Sequence, residues 1–221
     1  MGRLTAAAVA CLAAASLVIA PQWVLASPTR PGAPCAHGYS YGGYASRAGV
    51  HGVAATISAT HAPTVTSGHA AAWVGVGGIH EARSGASAWL QTGIAAFPGR
   101  GLRLYIEAVS FRQERTFLDL GPAAPGHRYR FAVVETSPDT WQAALDGRGV
   151  GRPAYLPTGG SAWRAVATSE SWAAGRARCN TFSYRFDQVS VLAGPAWSPL
   201  AEAQRIGNGV SRDGDGFSAV S

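Results

Sequence analysis

The chain has 221 residues, of which 47% are hydrophobic and only 14% charged, and its formal net charge is +6. All 18 basic residues are arginine, which excludes chemistry that depends on a Schiff-base lysine or a phosphate-loop lysine. The 28 glycines and 13 prolines exclude a long-helix protein, because both residues interrupt helices.

The first residues are typical of a secretory signal. Arg3 supplies a positive charge, Leu4 to Ala20 form an uncharged apolar stretch, and Val24-Leu25-Ala26 offers small residues for a signal peptidase. The stretch is short and rich in alanine for a membrane span, although a retained anchor is the alternative. We therefore predict a signal peptide over 1–26 and a secreted, extracellular product without stable membrane insertion after cleavage.

The mature chain is predicted to hold one domain over residues 37–200. A flexible, proline-rich lead-in over 27–36 precedes it, and a flexible Gly/Ser/Asp tail over 201–221 follows it. Two cysteines remain after cleavage, Cys35 and Cys179, and in an oxidising compartment they are expected to form a disulfide; two free buried thiols are the alternative. No histidine spacing accompanies them, so neither a metal site nor a cofactor is predicted.

Short alternating segments separated by turn residues predict an all-β protein, either a sandwich or a barrel. The arginines are scattered along the chain, so nucleic-acid binding is not expected. In chain order, the predicted strands are Gly38–Tyr44, Gly52–Thr60, Ala71–Gly77, Ala88–Ala95, Leu102–Phe111, Arg128–Glu135, Thr140–Asp146, Trp163–Glu170, Thr181–Phe186 and Val189–Leu192.

Alternation along four of these strands predicts one aliphatic face and one polar-aromatic face, because successive side chains point to opposite sides of a sheet. The aliphatic face is expected to contain Val74, Val76, Leu90, Ile94, Leu104, Ile106, Ala165 and Ala167. The opposite face is expected to contain Trp73, Trp89, Gln91, Tyr105, Glu107, Val166, Thr168 and Glu170. The first set is typical of a core and the second of a lined groove.

Three polar residues of the second face are suited to hydrolysis. A carboxyl group among aromatic side chains can move protons, and Glu107 and Glu170 are the candidates. The amide of Gln91 can stabilise an oxyanion without titrating.

Five short motifs, taken with these residues, have the order found in a known family. They are Tyr41-Gly42-Gly43, Ala72-Trp73-Val74-Gly75-Val76, Leu90-Gln91-Thr92-Gly93, Tyr105-Ile106-Glu107 and the strand that ends at Glu170. Together they resemble the glutamic peptidases (eqolisins), and the sixteen-residue step from Gln91 to Glu107 fits that pattern. The chain departs from the pattern at Gly77, where the family usually has an acidic residue.

The resemblance implies a concanavalin-like, jelly-roll type sandwich of two antiparallel sheets and a secreted endopeptidase. Gln91 and Glu170 would form the catalytic dyad, and their side chains would reach one shared water. Trp73, Tyr105 and Glu107 would contact a polypeptide substrate, and a monomer is expected. The alternative is a noncatalytic carbohydrate or cell-surface binding module that uses the same aromatic face.

Overall fold

The computed structural model describes residues 38–78, 87–110, 114–157, 163–173 and 179–221. Within these ranges the chain consists of strands and loops, which confirms the all-β prediction. No helix in the described ranges is long and apolar enough to cross a bilayer. The predicted signal peptide, the lead-in and Cys35 lie outside the described residues, so they and the disulfide with Cys179 stay predictions.

The strands form two antiparallel sheets, as the sandwich prediction requires. In the first sheet the order is β13 (Ala203–Gly207), β1 (Tyr39–Val50), β10 (Trp163–Trp172), β3 (His69–Gly78), β4 (Ala88–Phe97), β5 (Gly101–Val109) and β6 (Arg115–Pro122). In the second sheet it is β14 (Val210–Asp213), β15 (Gly216–Val220), β11 (Ser183–Leu192), β2 (Gly52–Ala59), β7 (Tyr129–Ser137), β8 (Thr140–Leu145) and β9 (Arg148–Tyr155). β12 (Trp197–Pro199) pairs with β11.

The core lies between the two sheets and uses the aliphatic face predicted for the first one. Val74, Leu90, Ile106 and Ala167 are all buried there, opposite side chains of the second sheet such as Trp141. The other face of the first sheet carries a separate buried cluster, which includes Ala71, Trp73, Ala95 and Tyr105. The predicted division of side chains between the two faces is therefore confirmed for β3, β4, β5 and β10.

Close backbone contact between β3 and β4 requires glycine at Gly93. A Cβ added there would lie 2.0 Å from the carbonyl oxygen of Ala72, its diagonal neighbour on β3. The backbone of β3 cannot move aside as a flexible side chain can. Glycine at position 93 therefore allows β3 and β4 to lie at their observed separation.

The prediction of a flexible tail over 201–221 is wrong for most of that segment. β13 pairs with β1, and β14 and β15 form a hairpin whose second strand pairs with β11. Phe217 is buried and stacks on Phe186, with ring centroids 4.3 Å apart. Phe217 and Ala219 are buried and Val210 packs against the core, so the hairpin is anchored although the surrounding Gly, Ser and Asp residues are typical of loops.

Other strand predictions also need correction. β6 and β9 were not predicted, because both are exposed edge strands without apolar alternation. The two strands predicted over 181–192 form the single strand β11. Its register shifts between Asp187 and Ser190, where Gln188 adopts a left-handed φ of 51°, so the break in the pattern is a bulge.

Substituting Gly93→Ala is expected to lower the free energy of unfolding by about 1–3 kcal/mol, since the new methyl group would press on the β3 backbone. Urea denaturation measures the change. The matched control is Gly149→Ala on the edge strand β9, where the nearest atom to an added Cβ is a side-chain carbon of Gln142 at 3.5 Å. Equal losses in the two variants would contradict the close-contact argument.

Candidate active site

A cleft of about 500 Å³ lies on the polar-aromatic face of the first sheet. It crosses β10, β3, β4, β5 and β6, and it extends to the turn between β4 and β5. The lining residues are His69, Ala71, Gln91, Ala95, Phe97, Pro98, Arg100, Arg103, Tyr105, Glu107, Arg115, Phe117, Asp119 and Glu170. Gln91 and Glu170 thus open into the same cavity, as expected of residues that share one face.

The pairing of adjacent strands determines how these two residues are placed. Glu170 on β10 is the register partner of Ala71, and Gln91 on β4 is the partner of Gly75. Trp73 lies midway between those two positions on β3 and points to the same face. Glu107 lies directly across from Gln91 on β5.

The carboxylate of Glu170 is held by a donor at each oxygen. His69 Nε2 lies 2.7 Å from Oε1, and Trp73 Nε1 donates to Oε2 at 3.1 Å. Glu170 is only 8% exposed, so these two contacts replace most of its hydration. Because each carboxylate oxygen has two lone pairs, each can still accept a further hydrogen bond from the cleft.

Aromatic rings enclose the imidazole of His69. The ring centroids of Tyr39, Phe97 and Trp172 lie 5.9, 6.1 and 6.0 Å from that of His69, each at a tilted angle. This packing orients the imidazole toward Glu170. The histidine is thus fixed before any substrate arrives.

The amide of Gln91 makes two long contacts on the other side of the cleft. Its Nε2 lies 3.3 Å from the Tyr105 hydroxyl and 3.3 Å from Glu107 Oε2. Both distances are at the upper limit for an N–H···O hydrogen bond, so they are weak and easily exchanged for a better acceptor. Glu107 is also paired with Arg115, whose Nε lies 2.8 Å from Oε1.

Burial sets the ionisation of the groups around Gln91. Desolvation raises the pKa of Glu107 above its ordinary 4.5; the Arg115 guanidinium opposes this rise and the Glu170 carboxylate adds to it. Burial also raises the pKa of Tyr105 well above its ordinary value, so its phenol stays neutral. Burial therefore penalises the charged forms of both Glu107 and Tyr105, and Arg115 partly offsets that penalty for Glu107.

Three residues were predicted to bind substrate, and the structure gives them different surroundings. Tyr105 and Glu107 line the cleft. Trp73 is 3% exposed and contacts Glu170 instead, so its indole supports the carboxylate from beneath.

Sequence reasoning missed His69 and the residues of β6. By alternation along the strand, His69 lies on the same face as Ala71 and Trp73. Extending the predicted strand by two residues toward its start would have placed His69 on that face. Arg115 and Phe117 could not be placed, because β6 itself was not predicted. Among the described residues, no three His, Cys, Asp or Glu side chains are grouped closely enough to hold a metal ion.

Structural comparison identifies the fold. Scytalidoglutamic peptidase, solved with a peptide-based transition-state analog, superposes with a TM-score of 0.60 at 20% identity over 81% of this chain and 96% of that one. The eqolisin SCP-B, solved with the tripeptide Ala-Ile-His, gives a TM-score of 0.56 at the same identity and coverage. No protein-family model and no curated sequence matches the chain. The chain thus has the sandwich fold of the glutamic peptidases, as the sequence motifs predicted.

The raised pKa of Glu107 predicts a pH-dependent stability difference between the protein and Glu107→Gln. Between pH 4.5 and the raised value, the folded state binds more protons than the unfolded state, so the free energy of unfolding falls as pH rises. Glutamine does not titrate, so the protein should lose stability relative to the variant over that range. Urea denaturation at successive pH values measures the difference.

Asp119→Asn provides the control of opposite sign. The hydrogen bond from Arg103 lowers the pKa of Asp119, with a backbone N–H from Gly121 adding to the effect. The stability that Asp119 contributes is therefore present above its ordinary pKa and lost as pH falls. Parallel pH trends in the two variants would contradict the assignment.

Proposed function

We propose that this protein is a secreted endopeptidase of the glutamic type that hydrolyses polypeptides with Glu170 and Gln91. The observation that carries the proposal is the buried Glu170 carboxylate, held by His69 and Trp73 at the floor of a cleft that Gln91 also lines. The shared fold and the predicted signal peptide support a secreted peptidase. A simple aromatic platform for sugars does not need a buried carboxylate fixed by two donors.

In the proposed reaction, Glu170 accepts a proton from the attacking water as the water oxygen bonds to the carbonyl carbon of the substrate. The carbonyl π electrons move to oxygen and generate a tetrahedral oxyanion. Glu170 then returns the proton to the leaving nitrogen, and the carbon–nitrogen bond breaks. His69 and Trp73 hold the carboxylate in one orientation through both transfers.

Gln91 is proposed to position the water and stabilise the oxyanion. Its amide nitrogen donates to the Tyr105 hydroxyl and to Glu107, each at 3.3 Å. Because these hydrogen bonds are long, the amide can exchange them for a stronger bond to a charged acceptor. A preorganised donor of this kind typically contributes about 10²–10³ in rate. Because the amide does not titrate, its contribution persists across the pH range.

Glu170→Gln is expected to abolish cleavage of an unfolded protein substrate, since the amide cannot accept the proton from water. Gln91→Ala should lower kcat by about 10²–10³. Cleavage is followed from acidic to neutral pH, with circular dichroism confirming that both variants are folded. Glu202→Gln and Gln204→Ala, on the exposed β13 side, are matched controls that should keep full activity.

Two outcomes would overturn the proposal. One is the absence of cleavage by the folded protein at every pH. The other is undiminished cleavage by Glu170→Gln. Retention on polysaccharide without cleavage would favour the carbohydrate-binding alternative.

His69 is expected to act as a positioning residue for Glu170. His69→Phe keeps a ring inside the aromatic enclosure but removes the donor to Oε1, and it should lower kcat by roughly 10²-fold through loss of carboxylate orientation. His69→Gln restores an N–H donor and should recover much of that loss while KM changes little. Equal kcat values in the two variants would show that the ring packing, and not the hydrogen bond, is what matters.

A further inference from the structure

One end of the cleft, beside the turn between β4 and β5, contains a positive charge that has no ion-pair partner among the described residues. This arginine end consists of Arg100, Arg103 and Asp119, all of which line the cavity. Arg103 Nε donates to both oxygens of Asp119, at 3.1 and 3.0 Å, and the backbone N–H of Gly121 also donates to Asp119. The only carboxylate of the arginine end is therefore already engaged by Arg103.

Arg100 lies beside this pair with its own charge unmatched. It is exposed in the turn between β4 and β5, and its charge contributes to the lowered pKa of Asp119. Within the described part of the chain, the ion pairs of the cleft leave no carboxylate at bonding distance from Arg100: Asp119 pairs with Arg103, and Glu107 with Arg115. Its guanidinium is thus available to an anionic ligand.

An apolar wall connects the dyad to the arginine end. Phe97 and Phe117 meet edge to face, with centroids 5.9 Å apart, and Phe117 is 45% exposed. Along β4, the lining residues run from Gln91 through Ala95 and Phe97 to the turn that holds Arg100. Ala95, the register partner of Arg103, is four residues from Gln91, a distance of about 13 Å along a strand.

We propose that the arginine end is a subsite for an acidic side chain of the substrate, with Arg100 as the residue that binds its carboxylate. An extended peptide advances about 3.3 Å per residue, so the acidic residue would lie about four residues from the scissile bond. The planar guanidinium matches the two oxygens of a carboxylate. This inference rests on the proposed peptidase function and adds a preference for Asp or Glu.

The first test is digestion of a peptide library by the protein, with cleaved sites identified by mass spectrometry. We expect Asp and Glu to be enriched three to five residues from the cleaved bond, on one side of it. Synthetic peptides with Glu or Gln at that position should differ about two- to tenfold in kcat/KM, because an exposed ion pair contributes modestly. High salt should reduce the ratio.

Arg100→Gln should bring the Glu/Gln ratio to one, because the guanidinium that distinguishes the two peptides is removed. Arg100→Glu should invert the preference toward a Lys peptide. The matched control is Arg205→Gln, an exposed arginine on β13 at the opposite edge of the sheet, which should keep the wild-type ratio. A ratio that stays at its wild-type value in Arg100→Gln would overturn the subsite.

Binding of the same peptides to Glu170→Gln, measured by fluorescence anisotropy, separates this inference from the peptidase proposal. If the Glu peptide binds more tightly than the Gln peptide, and if this difference disappears when Arg100 is substituted, the subsite is supported even if the wild-type protein cleaves nothing. Cleavage without any preference would overturn the subsite alone. Neither cleavage nor charge-dependent binding would overturn both.

Discussion

Strand β3 is hydrogen-bonded to β10 on one side and to β4 on the other. The placement of the candidate active-site residues depends on the register of both pairings. This register sets Glu170 across from Ala71 and Gln91 across from Gly75, with the Trp73 indole between them. Since side chains alternate along a strand, a slip of one residue would turn each of these groups into the core. The close contact at Gly93 and the aliphatic packing of the opposite face oppose such a slip.

The cleft contains two regions with different electrostatic environments. Near Glu170 and Glu107, burial makes every charge costly, so each carboxylate has a donor in direct contact. At the arginine end Arg100 and Asp119 are exposed, and a guanidinium that has no ion-pair partner among the described residues costs little there because water solvates it. One end of the cleft is therefore suited to chemistry and the other to recognition.

Sequence reasoning succeeded for the strands that face the core on one side. Val74, Leu90 and Ile106 are buried as their alternation predicted, because burying an apolar face is what stabilises a sheet of this kind. It failed for β6 and β9, whose side chains are mostly exposed and leave no apolar period to detect. It also failed for the final hairpin, whose buried hydrophobic residues Phe217 and Ala219 stand among Gly, Ser and Asp residues typical of loops.

The sequence by itself determined which side chains of the predicted strands in β3, β4, β5 and β10 share the cleft face, since alternation along a strand is a local property of the backbone. It also singled out Gln91 and Glu170 through their motifs. Only the tertiary structure decided what those residues contact. His69 meets Glu170 across 101 positions of chain, and Arg115 reaches Glu107 from an edge strand with no sequence signal. Such contacts arise from the order in which strands pair, and strand order is not encoded in any local pattern.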